Sequence, residues 1–213
     1  MLFRQARKTK MSNEKTINTV DLKRRRILTG ATGVVGAAGA TFLAVPFVSS
    51  WQPSEKAKAA GAPVNADIAQ LKPGQMMTVE WRGKPVWIVR RTPDMLAGLK
   101  TQAEDLRDPM SVESDQPVYC QNETRAVKDE YLVVVGVCTH LGCAPLYRPA
   151  LGSPDVSEDW QGGFFCPCHG SRFDLAGRVH KSVPAPTNLE IPPYHFVTDT
   201  IVRIGEGPKE GVA

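Results

Sequence analysis

Hydrophobic residues are distributed along the chain in three distinct ways. From Ile27 to Trp51 no residue is charged, and Gly, Ala, Val and Leu dominate. At about 1.5 Å rise per residue, a helix of that length exceeds the roughly 30 Å hydrocarbon core of a bilayer, so one membrane-spanning helix is predicted. Further on, Met77, Val79 and Trp81 alternate with Thr78 and Glu80, and Arg82-Gly83-Lys84 turns the chain into Pro85-Val86-Trp87-Ile88-Val89-Arg90. That pattern predicts a strand, a turn and a strand. Tyr131 to Val137 is a continuous apolar run, as in a buried strand. Arg172-Phe173-Asp174, Leu175 to Val179 and His195 to Ile204 predict further short strands. One helix interrupts them: Thr92-Pro93-Asp94 supplies an N-cap, a proline at the first helical position and an acid in the first turn, predicting helix to about Lys100. Gln102 to Lys128 is polar, broken by Pro109 and Pro117, and reads as loop. The predicted class is mostly β, with a single N-terminal transmembrane helix ahead of a β head.

The segments differ in charge as well as hydropathy. The 213-residue chain has a net charge of +4, but residues 1–26 hold nine Lys or Arg against Glu14 and Asp21, a net of +7, leaving about −3 for the rest. The basic excess therefore belongs to a tail beside the apolar run, and gives no reason to invoke nucleic acid. Basic residues on that flank predict a cytoplasmic N-terminus with the larger part across the membrane. A cleaved signal peptide is the alternative; Ala57-Lys58-Ala59 and Ala59-Ala60-Gly61 are weak cleavage sites. Arg24-Arg25-Arg26-Ile27-Leu28 also reads as a twin-arginine export signal, the address of proteins exported already folded. Met11-Ser12-Asn13 reads as a second candidate start. Gln52 to Val64 carries Pro53, Pro63 and Gly61 and no apolar periodicity, which predicts a linker. The resulting division is a basic tail 1–26, an anchor 27–51, a linker 52–65 and a head 66–213.

The chemistry concentrates in two boxes, Cys138-Thr139-His140-Leu141-Gly142-Cys143 and Cys166-Pro167-Cys168-His169-Gly170-Ser171-Arg172-Phe173-Asp174. Each offers one Cys and one His as metal ligands, Cys138 with His140 and Cys166 with His169. Two thiolates and two imidazoles suit a tetrahedral zinc or a mixed-ligand 2Fe-2S cluster. A zinc site of that type normally draws both Cys from one element and both His from another. Here the boxes are matched and each has a spare cysteine, Cys143 or Cys168, which favours the cluster over a zinc knuckle. Cys120 is left over and reads as a buried, inert thiol. His180 and His195 lie outside the boxes and read as packed or surface residues, and Trp81, Trp87 and Trp160 as packing residues.

The boxes resemble those of the Rieske iron-sulfur subunits of ubiquinol:cytochrome c oxidoreductase, the cytochrome bc-type complexes of respiration. The resemblance extends to Trp81-Arg82-Gly83-Lys84-Pro85-Val86, to Arg91-Thr92 and to Pro184-Ala185-Pro186 with Asn188-Leu189-Glu190, and covers the chain from about residue 20 onward. It implies an antiparallel β-sandwich head whose cluster-binding part is about 137–187, one 2Fe-2S cluster held by Cys138, His140, Cys166 and His169, and a hinge at 52–65 that lets the head swing. With both loops folded over one cluster, Cys143 and Cys168 come together, and a disulfide between them suits an oxidising compartment. Leu141 and Pro184-Ala185-Pro186 would shield the cluster. The family usually has Gly where Val183 stands, so the shape of that loop differs in detail.

The resemblance further implies electron uptake from ubiquinol at a cytochrome b subunit and delivery to a c-type cytochrome, in a dimeric, proton-translocating complex of the bacterial inner membrane with the head in the periplasm. His169 is the expected hydrogen-bond partner of the quinol, with His140 beside it. A neutral two-imidazole cluster accepts an electron more readily than a four-thiolate one. Reduction makes the outer ring nitrogens more basic, so electron and proton are taken up together. Ser171 matches a serine that donates to a cluster sulfur. Phe173 stands where relatives often carry a tyrosine whose hydroxyl serves a ligand thiolate, so a lower potential than in those relatives is predicted. A Rieske ferredoxin, against which the anchor, the export signal and the extra cysteine pair argue, and the small subunit of arsenite oxidase, against which the hinge and the Trp81 to Val86 stretch argue, are the rival readings; a redox-silent zinc domain is the third.

Overall fold

The computed structural model describes residues 21–208. Most of the basic tail, the candidate start at Met11 and the last five residues lie outside the described residues. The chain divides after Pro53 into two units. The first contains helix α1, Leu22–Ser49, long and apolar enough to cross a membrane. It starts five residues before the uncharged run because Asp21 caps it: the carboxylate accepts from the amides of Lys23 at 3.0 Å and Arg24 at 3.2 Å, which draws the four residues Lys23-Arg24-Arg25-Arg26 into the first turns. None of its residues is buried by protein, so Val34, Val35, Phe42, Leu43 and Phe47 stand fully open.

The linker reading needs correction at two places. Residues Glu55–Ala60 form a short helix, α2, with Ser54 Oγ accepting from the Ala57 amide at 3.2 Å. Absence of apolar periodicity argued against packing, but a Ser cap followed by Glu, Lys and Ala is sufficient for one and a half helical turns. Val64 and Asn65, assigned to the linker, belong to strand β1, Val64–Asp67, whose register with the last strand (Val64↔Ile204 to Asp67↔Ile201) lies 134 or more residues away in sequence and leaves no local signal.

The head is three antiparallel three-stranded sheets. Strand β2, Met76–Trp81, turns through Arg82 (φ 53°) and Gly83 (φ 71°) into β3, Lys84–Arg90, which pairs with β4, Tyr131–Val135. Between β3 and β4 lies helix α3, Pro93–Thr101, capped by Thr92. A second sheet is built from β5, Leu146–Arg148, β6, Gly163–Cys166, and β7, Ser171–Phe173. The third joins β1 to the C-terminal hairpin of β8, Tyr194–Phe196, and β9, Ile201–Ile204. The spacer between the boxes, residues 144–165, contributes β5. Two predictions shift. His195–Ile204 is two strands rather than one, and Leu175–Val179 is a turn with a single bridge from Val179 to Phe173. Asp174 causes the last: its Oδ1 accepts from the amides of Ala176 (2.9 Å) and Arg178 (2.8 Å), closing a turn where a strand would leave those donors to a neighbour.

All five residues of β4 are buried, and they lie in one core with Val86, Ile88, Val89, Phe164, Phe173, Leu189 and Tyr194. Trp81, Trp87 and Trp160 are buried as packing residues. Cys120 is fully buried, and burial pushes its thiol up to about 11. Three buried arginines set the segment following the second box. Arg91 donates to the carbonyls of Asp129, Thr124 and Leu175, and Arg125 to those of Ala176, Gly177 and Leu189. Arg178 pairs with buried Asp174 at 2.7 Å. Buried guanidinium groups are tolerated because most of their donors are used by backbone carbonyls; of these three arginines only Arg91 leaves one nitrogen, Nη2, without a partner.

Candidate metal centre

Both boxes are presented by the same local device. Strand β4 ends at Val135, and Gly136 then passes flat against Trp87, where a β-carbon would collide with the indole ring. The chain reaches Cys138 and makes one helical turn, closed by the Gly142 amide donating to the Cys138 carbonyl at 3.0 Å, with Gly142 at φ 83°. Strand β6 delivers Cys166, and the Gly170 amide donates to the Cys166 carbonyl at 2.9 Å, with Gly170 at φ 75°. Glycine is favoured at both closures because the left-handed conformation is strained for other residues. Each turn thus starts at a cysteine and ends at a glycine four residues later, with a histidine between.

The structure brings the predicted donors together. Cys138 and Cys166 are 3% and 2% exposed, and their free thiols are close enough to influence each other's ionisation. The rings of His140 and His169 lie with centroids 4.8 Å apart and planes at 89°. His169 is exposed and His140 half-buried, so the thiols form the inner side of the site and the imidazoles its outer side. Burial pushes the Cys138 thiol up, while the His140 amide and the Ser171 hydroxyl pull the other way. A disulfide joins Cys143 to Cys168 across a separation of 25 residues, with Cα atoms 6.7 Å apart. The sulfurs of Cys143, Cys166 and Cys168 all lie within 4.8 Å of one another, but two of them are spent on each other, so this trio is no metal site. The available donors are two thiols and two imidazoles.

The loop at Pro184-Ala185-Pro186 lies against both boxes. The Ala185 amide donates to Ser171 Oγ at 3.1 Å, and Thr139 Oγ1 donates to the Thr187 carbonyl at 2.7 Å. Val183 is buried, and the left-handed residue that turns the chain here is Ser182, at φ 57°. The turn therefore falls one residue ahead of Val183. Leu141 is 72% exposed beside the histidines. His180 stacks on Trp160, and His195 contacts the Glu206 carbonyl through Nδ1.

The family described as "Rieske [2Fe-2S] domain" matches residues 63–194. The chain belongs to the Rieske iron-sulfur family. A second match, described as "Ubiquitinol-cytochrome C reductase Fe-S subunit TAT signal", covers residues 15–54. Relatives named ubiquinol-cytochrome c reductase iron-sulfur subunit include that of Allochromatium vinosum, 59% identical over 88% of this chain and 90% of the relative. That of Blastochloris viridis is 44% identical over 89% and 97%, and that of Rickettsia conorii 38% identical over 92% and 100%. The chain is thus a Rieske subunit of this reductase family, and its cofactor is one 2Fe-2S cluster. The donor set fits that cluster: two buried thiols on one side and two imidazoles on the other divide as a Rieske centre divides its ligands between two irons. Sequence reading of this Rieske chain missed Thr139 and Asn188 as struts. Asn188 Nδ2 donates to the Asp108 carbonyl and Ser111 Oγ, contacts made across the fold that no local pattern announces.

Proposed function

We propose that this chain takes one electron from ubiquinol, holds the accompanying proton at a ring nitrogen of His169 or His140, and passes the electron to a c-type cytochrome within a cytochrome bc-type complex. The observation that carries this reading is the two-sided site: sulfur donors buried, His169 at the surface next to exposed Leu141. Cys138, Cys166, His140 and His169 hold the cluster. When bound, it supplies a one-electron acceptor at about −150 to +300 mV. An exposed imidazole is where a quinol hydroxyl can donate its hydrogen, and an apolar neighbour such as Leu141 excludes competing water. Pro184-Ala185-Pro186 closes the other side. The Ser171 hydroxyl, contacting Cys138, draws charge off that sulfur.

The remaining organisation follows from the same reading. Residues 1–26 stay in the cytoplasm, the anchor spans the inner membrane, 52–63 act as the hinge, and the head faces a cytochrome b subunit and a c-type cytochrome from the periplasm. The complex is a dimer, as the resemblance implies, and the twin-arginine segment exports the head folded.

A redox titration of the full chain in detergent, followed across pH, tests the proposal. The expected midpoint lies on the positive side of the range and falls as pH rises, because proton uptake accompanies reduction. A pH-independent potential near the negative end would instead indicate a ferredoxin-like donor, and no transition would overturn the reading. Phe173 is fully buried and has no hydroxyl. Phe173→Tyr is therefore expected to raise the potential in the same titration if its hydroxyl reaches a ligand sulfur; an unchanged potential with lowered stability would show that it does not.

A further inference from the structure

The segment Val183 to Thr187 has an unusual hydrogen-bonding problem. Pro184 and Pro186 have no N–H, so it cannot pair as a strand, and its shape must be held through its carbonyls and three remaining amides. Ser171 and Thr139 each use one group, Ala185 N–H and Thr187 O. The carbonyls of Val183, Ala185 and Pro186 are met by a single residue outside both boxes. Arg107 Nη1 donates to Ala185 O at 3.2 Å and Pro186 O at 3.1 Å, and Nη2 to Val183 O at 3.4 Å.

The guanidinium is placed by its backbone. Leu106 is 1% exposed and forms a bridge with His180. The Arg107 amide donates to Val179 O at 3.0 Å, and the Lys181 amide to Asp105 O at 2.8 Å. Residues 105–107 therefore run alongside 179–181, just ahead of the proline segment. From there a planar fork of fixed geometry spans three carbonyls of a four-residue stretch, each bond strengthened by the full charge.

We propose that Arg107 is the positioning residue that clamps the proline loop against the two metal loops. The proposal rests on the electron-transfer reading above. With the clamp in place, the Ala185 amide stays on Ser171 Oγ, which keeps the Ser171 hydroxyl beside Cys138. Without it, the loop lifts, Ser171 loses the contact that fixes its oxygen, and charge on the Cys138 sulfur rises, which favours the oxidised state.

The test uses the full chain in its assembled complex, as wild type, Arg107→Ala and Arg107→Lys. Two quantities are read: hydrogen–deuterium exchange of the peptide 183–187, whose only amides are Val183, Ala185 and Thr187, and the midpoint potential. In Arg107→Ala, exchange of this peptide is expected to be about tenfold faster, as loss of charge-assisted hydrogen bonds implies, with a downward shift in potential and unchanged protection at Tyr131–Val135. Arg107→Lys, which keeps the charge but lacks the fork, should fall between the two. Unchanged exchange or potential in Arg107→Ala would overturn the clamp. So would a fully wild-type Arg107→Lys, which would make the charge alone sufficient, or an equal loss of protection at Tyr131–Val135, which would make the role one of general folding. A wild type with no pH-dependent positive potential would sink the functional reading itself, whatever Arg107 does.

Discussion

Replacing Gly163 with alanine is expected to cost the head several kcal/mol and to prevent most chains from holding their cluster. Gly163 opens β6 at φ 152°, a conformation that side chains rarely adopt. A β-carbon there would overlap the Phe173 carbonyl oxygen and lie 2.9 Å from Asp174 Cα and 3.0 Å from its carbonyl carbon. All three are backbone atoms, so no side-chain rotation relieves the overlap. Relief requires β6 and β7 to separate, and their register is what sets Cys166 opposite Ser171. The backbone conformation costs about 1–3 kcal/mol and the overpacking about as much again. Together these are a large part of a typical stability of about 5–15 kcal/mol. Gly142→Ala is the informative contrast, with φ 83° but open space where the methyl would go. It should lose only the conformational part. Thermal melting and visible absorbance per chain check both, and a Gly163→Ala variant that melts with the wild type would refute the steric argument.

Removing the disulfide is expected to weaken the site in an order that depends on what is left behind. The bond closes a loop across 25 residues, for which chain entropy gives about 3.5 kcal/mol. The double variant Cys143→Ser with Cys168→Ser should lose about that much stability, yet keep both donor thiols. A single variant should hold less iron, although it removes only one sulfur. Cys143→Ser frees a Cys168 thiol within 4.8 Å of Cys166, and Cys168→Ser frees Cys143 at no greater distance. In an oxidising compartment either free thiol can pair with Cys166 and withdraw a donor from the cluster. Iron content per chain, together with mass mapping of disulfides under non-reducing conditions, distinguishes the cases. Equal iron in single and double variants would remove the mispairing argument.

These two experiments separate what the boxes contribute as sequence from what their framework contributes as structure. The donors were legible because thiolates and imidazoles are the residues that bind such a centre, and their spacing within each box fixes a short turn irrespective of the rest of the fold. The anchor and the β2–β3 hairpin were legible for a related reason: an uncharged run and a period of two record the burial of neighbouring residues, which is local information. Short elements whose stability comes from a distant partner were not. Strand β1 is set by β9, and the three residues of β5 by β6. The turn at Leu175–Val179 depends on a carboxylate that an alternation count treats as merely polar.

By itself, then, the sequence determined the chemical inventory of this Rieske subunit: one apolar anchor, a mostly β head, and two matched Cys and His boxes with a spare cysteine each. Tertiary structure alone decided which side of the site is buried and which faces out, because exposure of Cys138 or His169 depends on strands more distant in sequence than any motif. It also decided how the proline loop is held. A segment without strand-forming amides can be shaped only by partners brought from elsewhere, here the donors Thr139 and Arg107 and the acceptor Ser171, and their convergence is a property of the folded chain.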